Sequence, residues 1–538
     1  MRVPIVLFAA AAAVIVAAWA WLGRPVPMPP SPLAAGEKLY CVSYAPFRGS
    51  QNPLDAGTRI SAAQIDEDLA RLSKITDCVR TYSIEHGLDQ IAGIAGRYGL
   101  KVMQGLWLSG LPQKNEVEIE TAIALAKRHP DVIRSIVVGN EVLLRGEMAA
   151  ADLAATIRRV KQAVPVPVTY ADVWEFWLRN PAVYDAVDFV TIHILPYWED
   201  FPIPARDAAA HVDSIRARVV AAFPAKEILI GETGWPSAGR MREGALPSPA
   251  NQARVLHEVL AAAKRGNYRV NVIEAFDQPW KRRLEGTVGG HWGLLDDRRR
   301  EPKFIWGAAV SNHPAWKLQA GLGVVLAAIV FAAGWTSRRA SDPPPPAARW
   351  AMVGLMAVVA GVGIGWTVEK VAIESLGWGQ WVRSGVLLFA AGAAPLLAAV
   401  ALMREAAVPR FGDVLARQNR ERLAPAAVLL GLVLITVTAL AIQIALGLVF
   451  DPRYKDFPFP GLAAAVLPLA LLAIRRQPSG SGSTAATAEI LSALTLGLAG
   501  GYIALNEGFG NWQARTTVIW LLLLSLTLLR FAGARSRG

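Results

Sequence analysis

The chain has 538 residues, 53% of them hydrophobic, with a mean hydropathy of +0.32 and a formal net charge of +12. A single soluble domain is excluded, because the apolar excess is concentrated near the N-terminus and beyond about residue 316, while the middle, roughly 36–312, has ordinary charge density and length enough for a large core. The basic balance does not point to nucleic acid, since many arginines fall in short loops between apolar runs, and with no zinc spacing and no Gly-rich phosphate loop ending in Lys-Ser/Thr there is no ground to expect a metal or cofactor.

In chain order, Val3 to Leu22 is an apolar run of 20 residues behind Arg2, long enough to cross a bilayer. It reads either as a retained anchor or, from the small-x-small sequence Ala18-Trp19-Ala20, as a cleaved signal. Segment 1–24 is therefore assigned to the membrane, and the Pro-rich segment 25–35 to a linker. From 36 to 312 eight strand-and-helix alternations predict a (β/α)8 barrel. The strands are Leu39 to Ala45, Cys78 to Ser83, Lys101 to Leu108, Ser135 to Glu141, Val166 to Val173, Phe189 to Trp198, Glu227 to Trp235 and Asn271 to Asp277. Helical spacing is clear in Ala62 to Ile75, Glu116 to Arg128, Ala150 to Val164, Ala205 to Phe223 and Pro249 to Arg265. The two cysteines, Cys41 and Cys78, fall on neighbouring early strands, as a disulfide or as two buried thiols.

Segment 313–538 holds about seven further apolar stretches, near 318–335, 350–367, 384–403, 425–450, 459–474, 488–505 and 516–531. Loops on one side carry thirteen basic residues: Arg338, Arg339, Arg349, Arg404, Arg410, Arg417, Arg420, Arg422, Arg475, Arg476, Arg530, Arg535 and Arg537. Those on the other carry five, Lys370, Arg383, Arg453, Lys455 and Arg515. The positive-inside rule then puts both termini in the cytoplasm and the barrel outside it, in contact with membrane lipid only through the flanking helices.

In a barrel of this kind the site lies at the C-terminal ends of the strands. Two strands deliver an acid there: Ser135 to Glu141, and Glu227 to Trp235, which carries Glu232, 91 residues from Glu141. Two carboxylates roughly 5 to 5.5 Å apart can act as nucleophile (Glu232) and acid/base (Glu141) of a retaining glycosidase. Asn140 is placed to bind a sugar hydroxyl. Arg80 and Tyr82 end the second strand, to bind hydroxyls or orient Glu232, with a barrel salt bridge as the plainer role for Arg80. His193 faces the site if its strand alternates, or is a structural histidine. Glu274 and Lys281 end the eighth strand, as sugar ligands or an ion pair. Aromatic rings at the same ends, Trp107, Trp174, Trp177, Tyr197, Trp198, Trp235, Trp280 and Trp292, either stack on sugars or fill the barrel top.

At these residues the sequence resembles glycoside hydrolase family 17 over about 275 residues. Val138-Gly139-Asn140-Glu141 is similar to that family's acid/base motif, and Gly231-Glu232-Thr233-Gly234-Trp235-Pro236-Ser237 to its nucleophile motif. Arg80-Thr81-Tyr82 and Glu274 to Lys281 sit where family motifs recur, with Gln278 where many members carry Glu. The resemblance implies a retaining enzyme on β-1,3-linked glucans, with Glu141 as acid/base and Glu232 as nucleophile. With the membrane region behind it, the arrangement resembles the bacterial β-(1,6)-glucan synthases, implying a multi-pass protein of the bacterial inner membrane whose barrel faces the periplasm. A glucan synthase or exporter is then a natural protein partner, and a sugar hydroxyl competes with water for the glycosyl-enzyme. The alternatives are an endo-β-1,3-glucanase and a non-catalytic glucan-binding scaffold.

Overall fold

Eight apolar runs become eight parallel strands: β1 (Cys41–Ser43), β2 (Cys78–Arg80), β3 (Lys101–Leu106), β4 (Ile133–Asn140), β5 (Val168–Val173), β6 (Val190–His193), β7 (Ile228–Thr233) and β8 (Val270–Val272). They pair in sequence order and β8 returns to β1, closing the barrel the sequence predicts. The computed structural model describes residues 2–338, 344–475 and 486–533. Val26–Val310 forms one unit, and Met1–Pro25 with Ser311–Gly538 another.

Crossover helices Ala62–Leu72, Pro112–Arg128, Ala150–Ala163, Ala208–Ala222 and Pro249–Arg265 lie where the helical spacing predicts them. Their starts are chemically marked: the Ser61 and Ser248 hydroxyls accept from the Gln64 and Asn251 backbone N–H groups, and Pro249 occupies a first-turn position where its missing N–H costs nothing. The helix Ala150–Ala163 buries Leu153, Ala154, Ile157 and Val160, a stripe at helical spacing that seals the barrel's outer core. Inside, Cys41, Cys78, Met103, Val137, Ala171 and Leu229 from six strands form the floor beneath the site. Cys41 and Cys78 are joined as a disulfide.

The Pro-rich segment is not a free spacer from Val26 onward. Val26 and Val310 exchange backbone hydrogen bonds of 2.9 and 3.0 Å, and Lys264 reaches the Glu37 carboxylate at 2.7 Å. Apolar Val26, Met28 and Leu33 pack on barrel residues, which is why the stretch docks although its prolines suggest an extended linker.

In the helical unit, seven helices among the described residues are long and apolar enough to cross a membrane: Arg2–Leu22, Trp316–Thr336, Ala347–Glu374, Trp378–Arg404, Pro425–Phe450, Thr487–Glu507 and Trp512–Gly533. The remaining apolar helix, Phe459–Arg475, has 17 residues and carries Pro468. At 1.5 Å per residue it spans about 25 Å, the lower limit for a helix that crosses a hydrocarbon core of about 30 Å, with local thinning of the bilayer. Ile15 and Trp19 of the first helix are fully buried within this unit. A Cβ on Gly323 would lie 2.3 Å from the Gly361 carbonyl oxygen, so small residues let these two helices meet backbone to backbone. Glu369 accepts from Gln319 at 2.6 Å and pairs with His313 at 2.8 Å, near a helix end and not mid-span. Arg339, Arg476, Arg535 and Arg537 of the basic loops lie outside the described residues.

Candidate active site

The two acids reach one place because their strands are irregular there. Strict alternation along β7 would turn Gly231 and Glu232 to opposite faces. The register of β7 shifts against both neighbours, between Ile192 and His193 on one side and between Ile230 and Thr233 on the other. Such irregularities re-aim side chains at barrel rims. Between Val137 and Asn140, β4 also shifts against β5, and Glu141 follows with φ +53°, in the left-handed region. Gly231 is required by space: a Cβ there would sit 2.3 Å from the Thr191 methyl.

Arg80 is the hub. Fully buried at the end of β2, it donates to the Gly231 carbonyl at 2.8 Å, to Glu232 Oε1 at 3.2 Å and to Asn140 Oδ1 at 2.5 Å. The Tyr82 hydroxyl donates to the same Glu232 oxygen at 2.9 Å. His193 stands between the acids, with Nδ1 2.8 Å from Glu141 Oε1 and Nε2 3.3 Å from Arg80 Nη1. Because a guanidinium can only donate, Nε2 accepts and Nδ1 carries the hydrogen given to Glu141. One ligand-type atom from each of Glu141, His193 and Glu232 lies within 4.8 Å of the others. A Glu141 oxygen and a Glu232 oxygen thus lie within 4.8 Å of each other, near the roughly 5–5.5 Å of a retaining pair and well inside the roughly 6.5–9.5 Å of an inverting one. A cation would suit the same three groups, but the Arg80 guanidinium already stands beside them.

Burial pushes the Glu141 carboxyl up, but His193, Arg80 and Arg145 outweigh it and hold the group below the ordinary carboxylate range. Glu274, paired with Lys281, is pushed up to about 7 by burial, against the pull of Lys281 and with a contribution from nearby Glu232. Lys281 is raised in turn: burial opposes its charge, but Glu274 and Glu285 more than compensate. Desolvation, then the Glu232 charge, raises the Tyr82 hydroxyl, which suits it to donate.

All eleven residues expected at the site end at one face, but not all line open space. Tyr197 and Trp235 are fully buried, the Tyr197 hydroxyl donating to the Arg240 carbonyl at 2.9 Å and the Trp235 indole to the Leu246 carbonyl at 3.0 Å. They are packed edge to face, 6.1 Å apart, and leave no ring surface for a ligand. Trp174, Trp177 and Trp292 are buried as well. Trp280 is half-buried, its indole donating to Gln278 at 2.9 Å, and Trp198 is half-buried on Trp292. Trp107, 39% exposed, keeps ring surface to solvent.

Two residues escaped sequence reasoning. Asp172, fully buried on β5, is pushed up to about 6 by burial, and Tyr170 donates to it. It lies inside an apolar run, where only the alternation of β5 would have marked it. Arg145 contacts the Asn140 and Leu108 carbonyls from a loop that has no pattern to single it out.

Residues 41–293 match the BtgE/BtgC glycoside hydrolase domain. Among curated relatives, the glucan 1,3-β-glucosidase BGL2 of Candida albicans is 27% identical over 264 residues, covering 45% of this chain and 85% of the relative. The probable family 17 glucosidase SCW10 of Saccharomyces cerevisiae is 25% identical over 260 residues, covering 47% and 64%. Among solved structures, the glycoside hydrolase family 17 β-1,3-glucanosyltransferase from Rhizomucor miehei is 27% identical, covering 50% of this chain and 98% of that one, with a TM-score of 0.45.

Proposed function

Taking the barrel as a glycoside hydrolase domain of the family 17, BtgE/BtgC kind, we propose that this protein is a membrane-anchored, retaining β-glucan glucanosyltransferase. The observation that carries the reading is the meeting of Glu141 and Glu232 around His193. Glu232 attacks the anomeric carbon and forms a glycosyl ester, while Glu141 gives its proton to the leaving oxygen. Glu141 then takes a proton from the incoming hydroxyl and the ester opens. Its depressed pKa suits the second, basic step, and a sugar covering the site favours the neutral form needed for the first. Arg80 and Tyr82 hold the nucleophile, and Asn140, itself fixed by Arg80, is placed for a sugar hydroxyl.

The relatives named as glucan 1,3-β-glucosidases support β-1,3-glucan as the donor. Trp107, exposed beside the acid/base turn, offers an acceptor ring a stacking surface that water does not need. Glu274, Lys281 and Trp280 complete the sugar-binding end of β8. The apolar helices and their Arg-rich loops support a bacterial inner-membrane protein with the barrel in the periplasm and both termini in the cytoplasm. The buried Trp19 supports retention of the first helix, and a Cys41–Cys78 disulfide suits an oxidising compartment. Periplasmic glucan synthesis by transfer, beside a synthase or exporter, is the role this placement suits.

The same relatives' names favour a second reading, hydrolysis. The full chain in detergent, given β-1,3-gluco-oligosaccharides, separates the two: products longer than the substrate establish transfer, and only shorter ones leave a hydrolase. If neither forms, the barrel is a binding scaffold. For His193→Ala, kcat/KM falls and its alkaline limb moves to higher pH, because the hydrogen bond that most strongly lowers Glu141 is gone and the acid keeps its proton longer. An unmoved limb in a pH–rate profile would remove His193 from this role.

A further inference from the structure

Beyond the acids themselves, the turn that carries Glu141 has to be held. Gly139 and Glu141 both have positive φ, +87° and +53°, and a non-glycine residue persists there only when its surroundings over-determine it. Arg145 supplies that constraint. Its backbone N–H donates to the Glu141 carbonyl at 2.9 Å. Its guanidinium donates to the Asn140 carbonyl through Nη1 and to the Leu108 carbonyl, past the end of β3, through Nη2 at 2.6 Å. The same group lies over the Trp107 ring, 4.1 Å from its centre, and 3.5 Å from Glu147, which accepts from the Gly110 N–H. One planar cation thus joins the loop after β3, an exposed ring and the acid/base turn.

We propose that Arg145 is the positioning residue of the acid/base carboxylate, locking the Asn140–Glu141 turn to the end of β3 and tying its posture to a sugar ring seated on Trp107. This rests on the reading of Glu141 as acid/base. Glu141 is faced by Arg80 from β2, Asp172 from β5, His193 from β6 and Glu232 from β7, and Arg145 adds a cation from its own element. Removing that cation leaves the other four in place. A lysine keeps the charge but not the planar fork that spans two carbonyls and stacks on an indole.

The test uses the full chain in detergent with two donors, a β-1,3-gluco-oligosaccharide and an aryl β-glucoside whose phenolate leaves without a proton. Arg145→Gln should lose roughly 10²-fold in kcat/KM on the oligosaccharide, the size expected for a misplaced catalytic group, and its alkaline limb there should move up. On the aryl donor kcat/KM, which ends at the glycosyl ester and needs no proton from Glu141, should fall far less. Arg145→Lys should lose kcat/KM with the limb unmoved, and it carries the test if Arg145→Gln fails to fold. Equal losses on both donors, or wild-type kcat/KM and pH profile, would overturn the proposal. Glu141→Gln is run in parallel: full activity there would sink the acid/base reading itself, whereas an impaired Glu141→Gln beside a normal Arg145→Gln would sink only the role of Arg145.

Discussion

Glu232→Gln is expected to remove activity on β-glucan, by on the order of 10⁴-fold or more, because the amide cannot form the glycosyl ester. The shape is retained. A glutamine oxygen still accepts from Arg80 and Tyr82, which donate to Oε1 at 3.2 and 2.9 Å, so the barrel and its affinity for glucan should persist. A 2-fluoro-glucosyl donor with a good leaving group checks this directly. It should leave one stable adduct on the wild-type peptide containing Glu232 and none on the variant. An adduct elsewhere, or a variant that still turns over, would assign the nucleophile to another residue.

Arg80→Ala should be the most damaging single change to the barrel itself. The guanidinium is fully buried and serves the Gly231 carbonyl and Glu232 carboxylate of β7 and the Asn140 side chain of β4, while lying 4.9 Å from the centre of the Tyr82 ring. Truncation strips the Glu232 carboxylate of its cation and Asn140 Oδ1 of its donor in a closed interior, leaving Glu232 the Tyr82 hydroxyl and the Gly231 carbonyl the Asn271 amide. Breaking one side of a buried ion pair typically costs about 3–5 kcal/mol. Hydrogen exchange followed by mass spectrometry on the full chain should show faster exchange in peptides covering β2, β4 and β7, with the helical unit unchanged. Arg80→Lys should recover part of the protection and little of the activity, since one ammonium cannot reach three acceptors. Wild-type protection in Arg80→Ala would mean that the network holds without its cation.

The barrel was legible because each strand is a short apolar run between turn-formers and each long helix buries a stripe at regular spacing. The short helices Ile91–Arg97, Trp174–Arg179 and Pro181–Tyr184 were not, because one or two turns show too little periodicity to register. Glu141 and Glu232 stood out as acids ending apolar strands. Their convergence could not be read, since it depends on register shifts that leave the alternation in the sequence unchanged. Nor could the sequence divide the aromatic residues. Trp107 and Trp235 both follow a strand, yet one is open to solvent and the other enclosed, a difference set by the loops that fold over β6, β7 and β8. Arg145 illustrates a further limit: its importance lies in two backbone carbonyls, which carry no side-chain signature.

The tie between Val26 and Val310 has a consequence for how the barrel is made and remade. Where a domain's first and last residues are hydrogen-bonded neighbours, its fold does not depend on which peptide bond is the opening one. A short bridge joining those two valines, with the chain reopened in an exposed loop such as the one around Asp55 to Gly57, would give a circular permutant with the same eight-strand order. The same adjacency sets a schedule during synthesis. The barrel cannot complete its outermost pairing until Val310 has emerged, so some 285 residues must wait for the last of them before the clasp closes.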